Sequence, residues 1–409
     1  MFFISWILSI VTFVLALLLI FYVQKRGAEK QWGDSIKGLQ IQVARDSLVS
    51  LRKTSVNSVH AKNWRPQILA VTEGKQCDED LSKVDKGIVA FLSHLSESKG
   101  ITMIYSILKE INHDNIDGSK IVSALESCCD TFELEAFCRA IITPVQDQTF
   151  NVLCQSAGLG VLTPNCLMFP FSNHCEDSVI VDRLKVAYDL QQSVLMFKGA
   201  DNYFNFVSSS AGKADSEIIV FWLIYDSGLL LMLFHLLSKH PFWSGCTVRL
   251  YSVATINDNS IQMKSDIESL LARFRLKAKV RILELTSASP YDYERTTALN
   301  SRAELLSKLE IERTNSLEML VEDSRLGSSI APNVLECSRS ASALAINDLI
   351  KTRSRAEDLV LINLPPMNLF KAKDDSLKSY VSFVRKIADG VPQMLLVKGT
   401  GEEIVMDFL

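Results

Sequence analysis

From residue 67 onward, short apolar runs alternate with longer amphipathic stretches, and this alternation is the strongest constraint on the fold. A short apolar run predicts a buried strand, and apolar residues spaced three and four apart predict a helix. Strict alternation of the two requires crossover connections, which favour a mainly parallel sheet with helices on its faces. The sequence therefore predicts an α/β fold. The predicted strands of the first part are 67–72, 101–108, 133–142, 165–169 and 193–198, and the predicted helices are 86–95, 118–125, 145–157 and 176–191.

The same order of elements starts again after a polar connector that contains Ser and Gly, at 202–216. The strands predicted after it are 217–225, 247–254, 279–285, 358–364 and 393–398, with helices at 229–238, 260–273, 340–353 and 374–388. Two successive units with one element order indicate an internal duplication. We therefore predict two tandem, pseudo-repeated parallel-sheet α/β subdomains, at 64–201 and 217–409.

The second subdomain contains an insertion at about 289–339. It begins as a charged helix at 291–312 and continues as a mixture of Ser, Glu and Asn with few large apolar residues. A long segment of this composition cannot bury enough apolar surface to offset the entropy of ordering it. We predict that the insertion is partly disordered and regulatory.

The first 23 residues contain no charged side chain. As a helix they would be about 34 Å long, enough to cross the hydrocarbon core of a bilayer. A signal peptide would need a basic start and a small-residue cleavage site, and neither is present. We predict a transmembrane helix at 1–23. Because Lys25, Arg26 and Lys30 follow directly, the rest of the chain is expected in the cytoplasm, beginning with an amphipathic linker helix and connector at 24–63.

Charge and cysteine content exclude several classes of protein. The formal net charge of the 409 residues is −4, which gives no electrostatic attraction to nucleic acid, so no nucleic-acid partner is expected. The nine cysteines are scattered, odd in number and without metal-ligand spacing. This pattern favours reduced, packed thiols over a disulfide framework or a zinc site, and no metal is expected.

The motifs of common enzyme classes are missing from the sequence. There is no phosphate loop of the Walker type, no complete dinucleotide fingerprint, no nucleophile elbow and no His-Glu-x-x-His. His235 lies in an apolar helical stretch and is interpreted as a packed core residue. We expect no enzyme, no catalytic residue and no resident cofactor. A nucleotide in the first subdomain stays open, because ligands collect at the carboxyl ends of parallel strands, but no residue can be assigned to it.

Two hydroxyls in polar segments are candidates for regulation by charge. Thr296 follows the run Tyr-Asp-Tyr-Glu-Arg, and Ser342 lies at the predicted opening of the helix 340–353. A phosphate adds about −1.5 to −2 charges, which near Arg295 or Arg339 could dock or expel the segment. Composition alone gives no reason to prefer these two over other exposed hydroxyls.

Several stretches along the whole chain resemble landmarks of the cation-chloride cotransporters. They are GAEKQWGD at 27–34, KNWRPQ at 62–67, DNSIQMK at 258–264, YERT at 293–296, LVLINLPP at 359–366 and LLVKGTG at 395–401. The Trp-Gly-Asp and Asn-Trp-Arg-Pro-Gln forms resemble the potassium-chloride branch more than the sodium-dependent one.

The resemblance implies that 2–23 is the last transmembrane helix and that the rest is the cytoplasmic C-terminal domain, joined through a helix at 29–53. In the family, that domain has two related α/β halves, forms the homodimer and regulates electroneutral symport of potassium with chloride in chloride homeostasis and cell-volume control, and the resemblance implies the same here. Thr296 and Ser342 match positions of inhibitory phosphorylation, which implies protein kinases and phosphatases as partners at the plasma membrane. In the family, the position that matches Ser342 is usually threonine.

The resemblance also implies that this chain does not transport alone, because the ion sites of the family lie on earlier membrane helices and a single span cannot enclose an ion path. Its partner would be the transmembrane core of a cotransporter. An alternative stays open, namely a stand-alone single-pass membrane protein whose α/β domain binds a nucleotide or another ligand.

Overall fold

The computed structural model describes residues 6–26, 35–54, 65–73, 85–95, 100–109, 117–172, 175–209, 216–223, 228–254, 259–273, 275–284, 332–364 and 374–400. The chain divides into two compact units, Met1–Ser58 and Val59–Leu409.

The first unit contains two helices, α1 (Trp6–Arg26) and α2 (Ser35–Thr54). Large apolar side chains of α1 such as Phe13 and Leu19 are exposed along its described length. The last turn of α2 contains Arg52 and Lys53, whose positive charges suit the negative end of a helix. Within the described residues, no helix has the combination of length and apolar character that crossing a membrane requires, and the transmembrane helix at 1–23 is not confirmed.

The second unit contains one ten-stranded sheet, which confirms the predicted α/β class with a mainly parallel sheet. The order of strands across the sheet is β3-β2-β1-β4-β5-β10-β9-β6-β7-β8. The strands are β1 (Ile68–Glu73), β2 (Thr102–Lys109), β3 (Ala136–Thr143), β4 (Cys166–Pro170), β5 (Ser193–Lys198), β6 (Glu217–Trp222), β7 (Thr247–Ala254), β8 (Lys279–Glu284), β9 (Leu359–Asn363) and β10 (Met394–Lys398).

Helices connect most consecutive strands and cover the two faces of the sheet. In chain order they are α3 (Lys86–His94), α4 (Gly118–Thr131), α5 (Gln146–Ser156), α6 (Asp177–Asp189), α7 (Ala200–Ser208), α8 (Leu229–Lys239), α9 (Ser260–Arg273), α10 (Pro332–Arg353) and α11 (Asp374–Ala388).

The strand order repeats in the two halves of the sheet. Counted from its outer edge, each half places its third, second, first, fourth and fifth strands side by side. The halves meet where β5 pairs antiparallel with β10, and Met196 lies opposite Leu396 at the middle of that pairing. All other strand pairs of the described sheet are parallel. The two predicted subdomains therefore share one continuous sheet instead of forming separate ones.

The composition of β5 and β10 fits their position inside the sheet. Val194 to Phe197 and Met394 to Val397 are fully buried, and strands that are apolar on both faces belong in the interior of a sheet. Alternate residues enter two core clusters, one on each face. Leu195 and Val397 face the cluster under α3, α8 and α9, and Met196 and Leu396 face the cluster under α6 and α11.

The structure differs most from the sequence-based elements at three helices. The predicted connector 202–216 begins inside α7, whose buried face contains Tyr203 and Phe206. Helix α4 continues to Thr131, where Cys128 and Cys129 extend its buried face beyond the predicted end at 125. Helix α10 begins at Pro332 rather than at 340, and proline is favoured in the first turn of a helix.

The cysteines of the described residues are thiols, in agreement with the prediction of reduced side chains. They are Cys128, Cys129, Cys138, Cys154, Cys166, Cys175 and Cys246. Burial raises the pKa of Cys154 to about 12, which keeps its thiol protonated and unreactive at neutral pH.

Candidate functional site

The C-terminal end of α11 is a meeting point of the two halves. The last carbonyls of a helix have no partner within the helix, and they form its negative end. Here Asn347 of α10 donates through Nδ2 to the Ile387 and Asp389 carbonyls, at 2.7 Å each. Lys198, at the end of β5 in the first half, donates through Nζ to the Ala388 carbonyl. We call Asn347, Lys198 and these carbonyls the α11 cap.

Burial and charge show which side chains contribute most to holding the end of α11. Asn347 is 3% exposed, so its two hydrogen bonds are made away from water. Burial lowers the pKa of Lys198, while the negative charge of Asp389 opposes that shift. The ion pair between Lys351 and Asp389, at 3.5 Å, joins side chains that are 41% and 73% exposed, and such surface pairs contribute little. The cap therefore depends mainly on Asn347 and Lys198.

Arg385 makes a second connection from α11 to the first half. Its Nε donates to Asp177 Oδ1 at 2.5 Å, and its other nitrogens donate to the Ser172 and Cys175 carbonyls. The guanidinium also lies over the ring of Phe171, 5.5 Å from its centroid. These partners lie in or just before the first turn of α6, the helix of the first half that corresponds to α11. Arg385 therefore links the start of α6 to the last turn of α11.

On the other face of the sheet, a buried aromatic cluster joins the halves. Trp243 donates through Nε1 to His94 Nδ1 at 3.2 Å, and the Tyr203 hydroxyl lies 2.5 Å from the same nitrogen. The ring of Phe242 stacks on His94 with centroids 4.8 Å apart. His94 and Tyr203 belong to the first half and Trp243 to the second. The halves are thus fixed to each other on both faces as well as along β5 and β10.

Helix α10 carries one of the two predicted regulatory residues. Because the helix starts at Pro332, Ser342 lies in its interior and not at its opening, which corrects the predicted position. The described side chains of α10 begin at Ala343, which is fully buried. Ser342 is therefore on the helix that supplies Asn347 to the α11 cap.

The other predicted regulatory residue, Thr296, and most of the insertion at 289–339 lie outside the described residues. Residues 332–339 of that insertion belong to α10. His235 lies in α8 and is partly buried, and burial lowers its pKa. The described part of the chain contains no group of three or more His, Cys, Asp or Glu that could hold a metal. It also gives no residue to assign to a nucleotide at the ends of β1 and β4, where Thr72 donates its hydroxyl to the Tyr105 carbonyl at 3.5 Å.

A protein-family model decides the membership of the chain. The model of solute carrier family 12 matches residues 200–408, which is half of the sequence and includes α7, the whole second half of the sheet and the α11 cap residues of α10. The chain belongs to solute carrier family 12. Within this family member, the matched region begins at the junction of the two halves.

Three solved structures resemble this solute carrier family 12 chain. The crystal structure of the cytoplasmic domain of a prokaryotic cation chloride cotransporter is 15% identical, covers 84% of this chain and 98% of its own, and has a TM-score of 0.46. A putative universal stress protein from Pseudomonas aeruginosa is 9% identical, covers 84% and 97%, and has a TM-score of 0.41. One from Archaeoglobus fulgidus is 9% identical, covers 81% and 95%, and also scores 0.41. At these values the three structures assign no function to the chain.

Sequence reasoning missed the residues that join the halves. Asn347, Lys198 and Arg385 stand in no motif, and their partners are backbone carbonyls or residues about 40 to 210 positions away. One signal was present: a Lys-Gly pair ends both β5 and β10, at 198–199 and 398–399. That repeat marks the corresponding strand ends of the two halves.

Proposed function

We propose that the chain is the C-terminal regulatory and dimerisation part of an electroneutral potassium-chloride symporter and that it does not transport alone. The observation that carries this proposal is the family match over residues 200–408, which include α10 and the hydrogen bonds of Asn347 to the end of α11. In this proposal the chain is not an enzyme and binds no nucleic acid. Its partners are a second copy, the transmembrane core of a cotransporter, and protein kinases and phosphatases.

The physical link proposed between modification and the fold runs through α10. Phosphorylation of Ser342 would add about −1.5 to −2 charges to the interior of a helix one position before the buried Ala343. A charge next to the buried Ala343 is proposed to oppose packing of α10 on the core, because an unpaired charge is costly in apolar surroundings. Loosening of α10 would withdraw Asn347 from the α11 cap. Phosphorylation of Thr296 is proposed to act on the same segment.

Attachment to the plasma membrane is proposed through the N-terminal segment, with the bulk of the chain in the cytoplasm. The support is the absence of charge in residues 1–23 and the Lys25, Arg26 and Lys30 that follow. The exposed apolar side chains of α1, among them Trp6 and Phe21, are of the kind that lipid covers.

A complementation assay tests the proposal. A potassium-chloride cotransporter that lacks its own last membrane helix and C-terminal domain is expressed with this chain, and chloride-dependent rubidium uptake is measured. We expect uptake to be at least several-fold above that of either protein alone, because the missing regulatory part is supplied. The matched control is this chain with Leu15→Arg and Leu18→Arg, which place charges in the apolar segment and should abolish complementation.

Absence of complementation, combined with failure of the two proteins to copurify, would contradict the proposal. External protease applied to sealed cells should leave residues 59–409 intact, and their digestion would contradict the cytoplasmic placement. Tight binding of a nucleotide by the chain without any association with a transporter would favour the stand-alone ligand-binding protein instead.

A further inference from the structure

Three polar residues form a row across neighbouring strands in the second half of the sheet. Trp222 ends β6, and it lies directly beside Ser252 of β7. Phe221 pairs with Ile362 of β9, so the next position places Trp222 beside Asn363. We call Trp222, Ser252 and Asn363 the donor row.

The three side chains of the donor row point to one face of the sheet. Successive side chains of a strand alternate between its faces, so each row residue shares a face with the residue two positions earlier. Those residues all belong to the core cluster under α8 and α9. They are Val220, Leu250 and Leu361.

Each residue of the donor row is buried and has a hydrogen-bonding atom without a partner. Ser252 and Asn363 are 0% exposed, and Trp222 is 6% exposed. The atoms without a partner are Trp222 Nε1, Ser252 Oγ and Asn363 Nδ2. The other end of the Asn363 amide is fixed, because Oδ1 accepts a hydrogen bond from the Leu223 backbone N–H at 2.7 Å. Such atoms are rare in folded proteins, and three in one row require an explanation.

The position of the donor row in the fold is one where ligands bind. Strands β7 and β9 lie on opposite sides of β6, so the row crosses the point at which the strand order of this half reverses. Helix α8 packs against β6 and β9, and it follows β6, so its N-terminus lies at the carboxyl ends of these strands. Its first N–H groups receive no side-chain cap from Gly228. The helix therefore adds positive potential without a cationic side chain.

The corresponding row of the first half has no such set of buried donors without partners. It consists of Thr72 in β1, Ser106 in β2, which pairs with Thr72, and Pro170 in β4. The Thr72 hydroxyl donates to the Tyr105 carbonyl, and Pro170 has no side-chain donor. Among the described residues, none of these three has a buried polar side-chain atom without a partner. The donor row is thus a feature of the second half and not a general consequence of the fold.

We propose that the donor row binds a single halide ion, held by the Trp222 Nε1–H, the Asn363 Nδ2–H and the Ser252 hydroxyl. An indole and an amide nitrogen can only donate, so the partner must be an acceptor. The row has N–H donors as two of its three atoms without a partner, and an N–H group of an indole or amide does not bind a metal ion. The row contains no cation, and the cost of burying an ion rises with the square of its charge. A monovalent, weakly hydrated anion therefore fits better than phosphate.

The test measures thermal unfolding of the full chain in mild detergent at constant ionic strength. Sodium chloride or sodium bromide replaces sodium gluconate stepwise, because gluconate is too large for a site made of three adjacent side chains. The unfolding midpoint should rise and saturate with either halide. Trp222→Phe keeps an aromatic ring but removes the donor, and it should raise the half-saturating concentration at least about tenfold.

Trp243→Phe is the matched control. It makes the same chemical change at a buried tryptophan whose Nε1–H already donates to His94, and it should leave the half-saturating concentration unchanged. Ser252→Ala gives a second test of the same site if Trp222→Phe does not fold. A bromide-soaked crystal should place an anomalous peak within hydrogen-bond distance of Asn363 Nδ2.

Three results would overturn the proposal. The first is an unfolding midpoint that is the same in chloride and gluconate, as expected if the donors bind water. The second is an equal halide response in the wild type and in Trp222→Phe, which would place the ion elsewhere. The third is a stronger response to phosphate than to chloride. None of these results bears on the complementation assay, so the halide site and the proposed function are tested separately.

Discussion

Replacing Gly199 by alanine should lower the free energy of unfolding by about 3 to 5 kcal/mol, through steric conflict at the junction of the halves. Gly199 has φ of 80°, in the left-handed region that side chains other than glycine disfavour. A Cβ added there would lie 1.8 Å from the Pro392 carbonyl oxygen and 2.9 Å from its carbon. Because both contacts are backbone atoms directly before β10, the junction itself would have to move.

Gly160→Ala is the matched control for this prediction. Gly160 also has a positive φ, of 61°, but a Cβ there meets nothing within 4 Å. Its substitution should cost only the backbone strain, about 1 to 2 kcal/mol. Chemical denaturation of the two variants and the wild type measures the difference. Equal destabilisation would show that the contact between Gly199 and Pro392 does not hold the halves together.

Asn347→Ala should lower the free energy of unfolding by about 2 to 4 kcal/mol, because it leaves the Ile387 and Asp389 carbonyls without their buried donor. In addition to this loss of overall stability, α10 itself should become less stable. Amides of α10 from residue 343 to 350 should exchange with solvent faster, since the helix loses its attachment to α11. Hydrogen exchange with mass spectrometry measures that change.

Asp348→Ala controls for the loss of a polar side chain from the same helix. Asp348 is the next residue, and it is exposed. Alanine there favours the helix slightly, so stability and exchange in α10 should stay near the wild type. If Asn347→Ala were as mild as Asp348→Ala, the α11 cap would not be the attachment of α10, and the proposed route from Ser342 to the junction would lose its support.

The local elements could be predicted from the sequence because apolar periodicity reports burial directly. The predicted bounds of α9 and α11 coincide with the structure, and the strands around Ile68 and Thr247 are displaced by at most one residue. Helix α7 was not predicted, although the buried Tyr203 and Phe206 lie three residues apart as in a helix, because the whole stretch from 202 was assigned to the polar connector that follows.

The junction and the donor row could not be predicted, because both depend on pairings between distant segments. The apolar composition of β5 and β10 predicts that both lie inside a sheet, but nothing in either strand specifies that they pair with each other or that they do so antiparallel. In the same way, Trp222, Ser252 and Asn363 are far apart in sequence, and only the register of three strands places them in one row. The α11 cap uses backbone carbonyls, which leave no trace in residue identity. The repeated Lys-Gly pair indicated the duplication but not how its copies join.

The most direct test of the regulatory account is chloride-dependent rubidium uptake under inhibitory phosphorylating conditions, measured in the complemented cotransporter with Thr296→Ala and Ser342→Ala in this chain. Phosphorylation at these positions is proposed to restrain transport through α10, so the double variant should raise uptake several-fold while surface expression stays constant. Uptake that remains at the inhibited level of the unmodified chain would contradict the account.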